Sequence, residues 1–131
     1  LADSLAQLHR LVRHRAGDRC EYCRISAGVD AANLQIEHIV PRQHGGATAL
    51  ENLALACQRC NSHKGPNLTG IDGDTGAIER LFNPRQDRWQ DHFVAQADGT
   101  ITGLTAAGRV TVNLLSMNAV QRRRLRLASG I

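Results

Sequence analysis

Four cysteines stand in two matched pairs, Cys20-Glu21-Tyr22-Cys23 and Cys57-Gln58-Arg59-Cys60, with thirty-three residues between them. Each pair offers two sulfurs from one tight turn, and two such turns close a tetrahedral site. Every cysteine of the chain is used. Two disulfides or a redox C-x-x-C are the other readings, but a redox motif has no need of a second matching pair. In a reduced compartment the pattern is that of a structural Zn²⁺ held by Cys20, Cys23, Cys57 and Cys60. Four thiolates leave no open coordination position, so this ion is expected to staple the chain and to do no chemistry.

The residues that could do chemistry lie between these anchors and just past the second. They are Glu37-His38-Ile39-Val40-Pro41, Arg42-Gln43-His44-Gly45-Gly46, Asn52-Leu53-Ala54-Leu55-Ala56 and Asn61-Ser62-His63-Lys64-Gly65. A Glu-His dipeptide alone is a common accident, and Asn52 alone is a turn residue. In this order, bracketed by the cysteine pairs, the string from about Arg15 to Gly65 resembles the HNH nuclease family. The resemblance implies a ββα-metal core, in which two strands and a helix surround one catalytic divalent ion, and it implies hydrolysis of DNA. It further implies Glu37 as a metal ligand, His38 as the general base, and Asn52 as the residue that fixes the loop orienting that base. The final position of the signature is often His in the family. Here it is Asn61, which still offers an oxygen to the metal.

The chemistry suits these residue types. A histidine of ordinary pKa, about 6.5, can take a proton from water near neutral pH. Glu37 and Asn61 form an oxygen-only pair, which favours Mg²⁺ or Mn²⁺ over a softer ion. In a regular strand Glu37 and His38 point to opposite faces. A shared site therefore requires a local twist or bulge, which the resemblance implies. His63 is a further candidate for the metal shell or a phosphate, with a surface role as the alternative. Lys64 and His44 are candidate contacts to the DNA backbone. Lys64 is equally explained as a favourable charge near a helix C-terminus, and His44 as an exposed loop histidine.

These residues need elements to hold them. Leu1, Leu5, Leu8 and Val12 form one helical stripe, with Ser4 and Gln7 as a capping box and Gly17 as the stop. Arg10, Arg13 and Arg15 lie off the stripe, on a face expected to be solvated. Leu34 to Val40 and Leu53 to Ala56 read as strands that pair back on each other, with Gly45-Gly46 as a flexible loop between them. A short helix is expected to start near Asn61 and to stop by Gly65-Pro66. The stretch from Asn67 to Gly76 reads as loop. His92 to Leu104 reads as a hairpin turning at Asp98-Gly99. Thr105 is placed to cap a helix carrying Val110, Leu114 and Met117, although the run Val110-Thr111-Val112 weighs against it. Asn118 breaks that helix before a last basic helix through Arg122, Arg123, Arg124 and Arg126. Trp89 and Phe93 are expected to pack the hairpin onto the core rather than to stack bases.

The whole is an α+β fold in 131 residues, read as one domain: residues 1–66 hold the helix, zinc site and ββα-metal core, and residues 67–131 form a C-terminal hairpin-plus-helix extension. Hydrophobic residues make up 42% and aromatics 3%, so the core must be mainly aliphatic. The net charge of +4 and pI of about 9.3 permit a polyanionic partner. Arg85, Arg88 and the basic tail of Arg122, Arg123 and Arg124 could lie along DNA, with salt bridges to Asp87 or Asp91 as the other reading of the first two. No apolar run is long enough to span a membrane. Asp3 and Gln7 interrupt the apolar residues of the N-terminus, so no signal peptide is read and a cytoplasmic location is expected. The rival reading is a catalytically inactive zinc-bound DNA-binding module, and a third is a zinc domain for protein contacts.

Overall fold

The computed structural model describes residues 4–30 and 33–130. Leu1, at the head of the helical stripe, lies outside them. Helix α1 runs Leu5–Ala16. Ser4 Oγ accepts the Gln7 N–H at 3.1 Å and Gln7 Oε1 accepts the Ser4 N–H at 2.7 Å, which completes the capping box. Gly17, at a φ of 63°, ends the helix in the left-handed region. Leu8 and Val12 are buried but Leu5 is 71% exposed, so the stripe reaches the core only from Leu8 onward. Arg15 is not purely a solvated residue. Its guanidinium donates to the Leu50 and Leu53 carbonyls at 2.9 and 2.5 Å, tying α1 to the start of the second strand.

A short helix, α2 (Ala27–Asp30), precedes the two-strand unit. Strands β1 (Leu34–His38) and β2 (Leu53–Cys57) pair antiparallel, from Leu34 opposite Cys57 to His38 opposite Leu53. Every residue of β2 is buried, as a strand covered on both faces must be. Helix α1 packs against β2, and α3 (Gln58–Lys64) packs against both strands. Helix α3 starts earlier than Asn61 because Cys57 itself caps it, its Sγ accepting the Cys60 N–H at 3.4 Å. The second C-x-x-C is therefore the first turn of the helix.

The extension carries two hairpins and three helices. Strands β3 (Thr69–Ile71) and β4 (Ile78–Arg80) pair where a loop was expected. The Gly/Asp/Thr-rich composition belongs to the turn alone, where Asp72 accepts the Asp74 N–H at 3.0 Å and Arg109 donates to both Asp72 oxygens at 3.0 and 2.7 Å. Helix α4 (Trp89–His92) leads into β5 (Phe93–Ala95), which pairs with β6 (Ile101–Gly103) across the Asp98-Gly99 turn. Helix α5 (Ala106–Leu114) is capped by Thr105 Oγ1, which accepts the Gly108 N–H at 3.0 Å. Val110 and Thr111 are helical despite their branching because both are buried, and packing outweighs a propensity deficit of a few tenths of a kcal/mol, about 0.5 per residue.

One apolar core draws on both halves, from Val12, Ile25, Leu53 and Leu55 to Phe82, Phe93, Leu115 and Met117. The four aromatic residues form a circuit. Tyr22 meets Phe82, Phe82 meets Phe93, and Phe93 meets Trp89 at ring distances of 6.3, 5.0 and 5.1 Å. Trp89 Nε1 closes it by donating to the Tyr22 carbonyl at 2.8 Å. The last helix, α6 (Val120–Ala128), corrects the reading of a basic tail: Arg122 and Arg126 are 2% and 0% exposed. Among the described residues no helix is long and apolar enough to cross a membrane.

Candidate metal centre and catalytic cleft

The four cysteines meet. Their sulfurs lie within 4.8 Å of one another, all four are 0% exposed, and none is in a disulfide. Cys23 Sγ and Cys57 Sγ stand 3.6 Å apart. A tetrahedron with Zn–S bonds of about 2.3 Å has an edge of about 3.8 Å, so the cluster fits a zinc ion. The two turns are built alike, with the Cys23 N–H on Cys20 Sγ and the Cys60 N–H on Cys57 Sγ, each at 3.4 Å. Burial pushes the Cys20 and Cys60 thiols well up, a cost that a bound dication offsets by holding thiolates. The first turn is also joined to β2, since Glu21 N–H donates to the Leu55 carbonyl and Glu21 Oε2 accepts the Leu55 N–H, both at 2.8 Å.

Beyond β1 the chain turns at Pro41, passes through a 3₁₀ turn at Arg42–His44 and doubles back. Asn52 pins this loop. Its Oδ1 accepts the Val40 N–H at 2.9 Å, and its Nδ2 donates to the Val40 and Ala47 carbonyls at 3.0 and 2.9 Å. A Cβ on Gly46 would sit 1.7 Å from the Val40 carbonyl oxygen and 2.8 Å from Asn52 Nδ2. The Gly-Gly pair thus serves close approach, and the loop is tight rather than the flexible one expected.

His38, half-buried at the end of β1, has Nε2 2.8 Å from Thr48 Oγ1. Partial burial and then the positive charge of Arg42 hold its pKa below the ordinary histidine value. Glu37 is 4% exposed. Its carboxylate accepts from the Tyr22 hydroxyl at 2.9 Å and from Lys64 Nζ at 2.7 Å. Burial raises the Glu37 pKa, and Lys64 and Tyr22 pull against that rise. Asn61 Nδ2 donates to Gln35 Oε1 at 2.8 Å. Two periodicities meet here: Gln35 and Glu37 share one face of β1, and Asn61 and Lys64 share one face of α3.

The strand register runs unbroken through Glu37 opposite Ala54 and His38 opposite Leu53, so no bulge brings the acid and the histidine together. The Glu37 carboxylate turns inward to Tyr22 and Lys64 while the His38 ring reaches Thr48. Both residues nevertheless border one open cleft of about 340 Å³, with Arg42, Gln43 and Asn61 among its other walls. The strand ends at His38, and the cleft lies at that end.

The structure does not bring His63 to this cleft; it is exposed on α3. His44 is exposed in the 3₁₀ turn, its Nε2 3.1 Å from the Pro66 carbonyl. Lys64 requires a correction. It is 2% exposed, and its ammonium is held by Glu37 and by the Ile39 carbonyl at 2.8 Å, so it is not placed to meet a phosphate on the surface. Arg85 is engaged by Glu21 rather than by Asp87. Sequence reasoning missed Tyr22 and Arg42. Tyr22 lies between two zinc-type cysteines, and only its bond to Glu37 reveals a second role.

A buried four-cysteine cluster that could hold a metal ion stands beside a two-strand-and-helix unit with a histidine at its open end, a ββα arrangement. The family model described as HNH endonuclease matches residues 20–67. A curated relative, the "CRISPR-associated endonuclease Cas9" of Corynebacterium diphtheriae, is 40% identical over 66 residues. That region is 50% of this chain and 6% of the relative, so the chain corresponds to a small part of that protein. No solved structure matches the chain.

Proposed function

We propose that this protein is an endonuclease that hydrolyses DNA phosphodiester bonds at the cleft between β1 and α3, using one Mg²⁺ or Mn²⁺ ion. The observation that carries the reading is that His38, Glu37 and Asn61 all border one open cleft, apart from a closed four-cysteine site. Glu37 and Asn61 offer hard oxygen donors of the kind such an ion takes. When bound, the ion supplies positive charge for the scissile phosphate and the leaving oxygen. His38 takes the proton of the attacking water. In the tautomer whose Nε2–H donates to Thr48 Oγ1, Nδ1 is left free to accept that proton. Asn52 holds the loop after His38 and so fixes where the ring stands. Lys64 and Tyr22 fix the Glu37 carboxylate. Residues 1–131 act as one unit in this reading, in a reducing cytoplasm where the four thiolates persist.

Nicking of supercoiled plasmid in Mg²⁺ or Mn²⁺ tests it. His38→Ala is expected to lower the rate by about a hundred- to ten-thousand-fold, with zinc content and DNA affinity unchanged. A His38→Ala protein that cuts at the parental rate would remove His38 from the mechanism. Binding without cleavage in the parent would favour the inactive DNA-binding module instead.

A further inference from the structure

The thiolate cluster has a neighbour that its own motif does not supply. Arg122 of α6 is 2% exposed, and its Nη2 lies 2.7 Å from Cys60 Sγ and 3.8 Å from Cys57 Sγ. Its Nη1 donates to the Leu115 carbonyl. Among the described residues no carboxylate pairs with it. One turn on, Arg126 is 0% exposed and donates to the Gly99 carbonyl at 2.8 Å and to Asn118 Oδ1 at 3.3 Å, again without a carboxylate. A buried guanidinium with no counter-charge is costly. Four neutral thiols or two disulfides would provide none. Zn²⁺ with four thiolates carries a formal charge of −2, and the two buried arginines of α6, Arg122 and Arg126, carry the matching positive charge.

We propose that Arg122 is the outer cation of the zinc site and that α6 is its cover, so that zinc retention depends on the C-terminal extension. The N–H···S bond to Cys60 draws charge from the sulfur and shields the Cys57–Cys60 turn from protonation and from competing chelators. The far end of α6 is docked on the other turn: Arg19 donates to the Ser129 carbonyl at 2.9 Å, and Ser129 Oγ accepts the Ser26 N–H at 3.0 Å. The helix thus bridges both cysteine turns. Metal that enters between them stabilises α6, and α6 in turn closes over the metal. This inference does not depend on the nuclease reading, because it concerns zinc alone.

The experiment is transfer of zinc from the intact protein to a chromogenic chelator. Arg122→Gln is expected to release zinc about ten- to a hundred-fold faster, the usual cost of losing such a partner. Arg122→Lys, which keeps the charge but not the fork, is expected to fall between. Arg124→Gln, at an exposed position of the same helix, is expected to match the parent. Release at the parental rate from Arg122→Gln would overturn the proposal. If that variant does not fold, NMR of the unmutated protein loaded with a magnetic cadmium isotope decides. The Cys23 and Cys60 amide protons, already on sulfur, serve as internal references. A metal–proton coupling to the Arg122 guanidinium supports the contact. Its absence while the two references are resolved overturns it.

Discussion

The sulfurs of Cys20, Cys23, Cys57 and Cys60 are sealed in the core, whereas Glu37, His38 and Asn61 border an open cleft at the far end of the same two strands. The first group is closed by its donors and roofed by α6. The second is held in place by neighbours, Tyr22, Lys64, Gln35 and Thr48, that leave an opening to solvent. Strand β2 connects them, with Asn52 and Leu53 at one end and Cys57 at the other. The difference teaches a division of labour. Soft donors, full burial and compensating arginines suit an ion that must never leave. Hard oxygens beside a partly exposed imidazole suit an ion that must meet substrate and water.

The largest effect expected is at the staple. Structural zinc contributes about 10–16 kcal/mol in small domains, as much as or more than the whole stability of a typical domain. Cys57→Ser is therefore expected to abolish both zinc content and cooperative thermal unfolding. Asn61→Ala is expected to leave both as they are, and to lose cleavage that partly returns when Mg²⁺ is raised. If Asn61→Ala also empties the zinc site, the two regions are not separate.

The next effect is at the boundary between the regions. Lys64 and Glu37 form a buried ion pair with side chains 3% and 4% exposed. Lys64→Met strands the carboxylate and is expected to cost about 3–5 kcal/mol, read as a fall in melting temperature. The double variant Lys64→Met with Glu37→Gln is expected to recover part of that loss. A Lys64→Met protein of parental stability, whose DNA affinity has lost salt dependence, would restore the lysine to the DNA surface instead.

How much of this was legible in the sequence follows from where the signal lies. The cysteine pairs, the capping box at Ser4, the strand pair and the Asn52 pin are local or motif-borne, and the structure has them. Lys64 and Arg122 were misread as surface charge because such side chains are seldom buried without a partner, and each partner lies far along the chain. Lys64 finds Glu37 twenty-seven residues earlier, and Arg122 finds Cys60 sixty-two residues earlier. The β3–β4 hairpin was hidden because its turn residues dominate the composition of a segment whose strands have only three residues each.

A smaller effect is in the pH profile. The base must be neutral to act, and partial burial and Arg42 both lower the His38 pKa. The rate is expected to rise with pH through a midpoint below the ordinary histidine value of about 6.5. Arg42→Gln removes a repelling cation, so the pKa rises and the acid limb moves to higher pH. An acid limb that stays in place in Arg42→Gln would mean that Arg42 does not act on the base.

The division into two metal sites is tested most directly by following zinc content and plasmid cleavage together during mild EDTA treatment. Cleavage is expected to stop while the four-thiolate zinc is still bound, and Mg²⁺ or Mn²⁺ alone is expected to restore it. Loss of cleavage only in step with loss of zinc, or restoration by zinc and never by Mg²⁺ or Mn²⁺, would contradict the account.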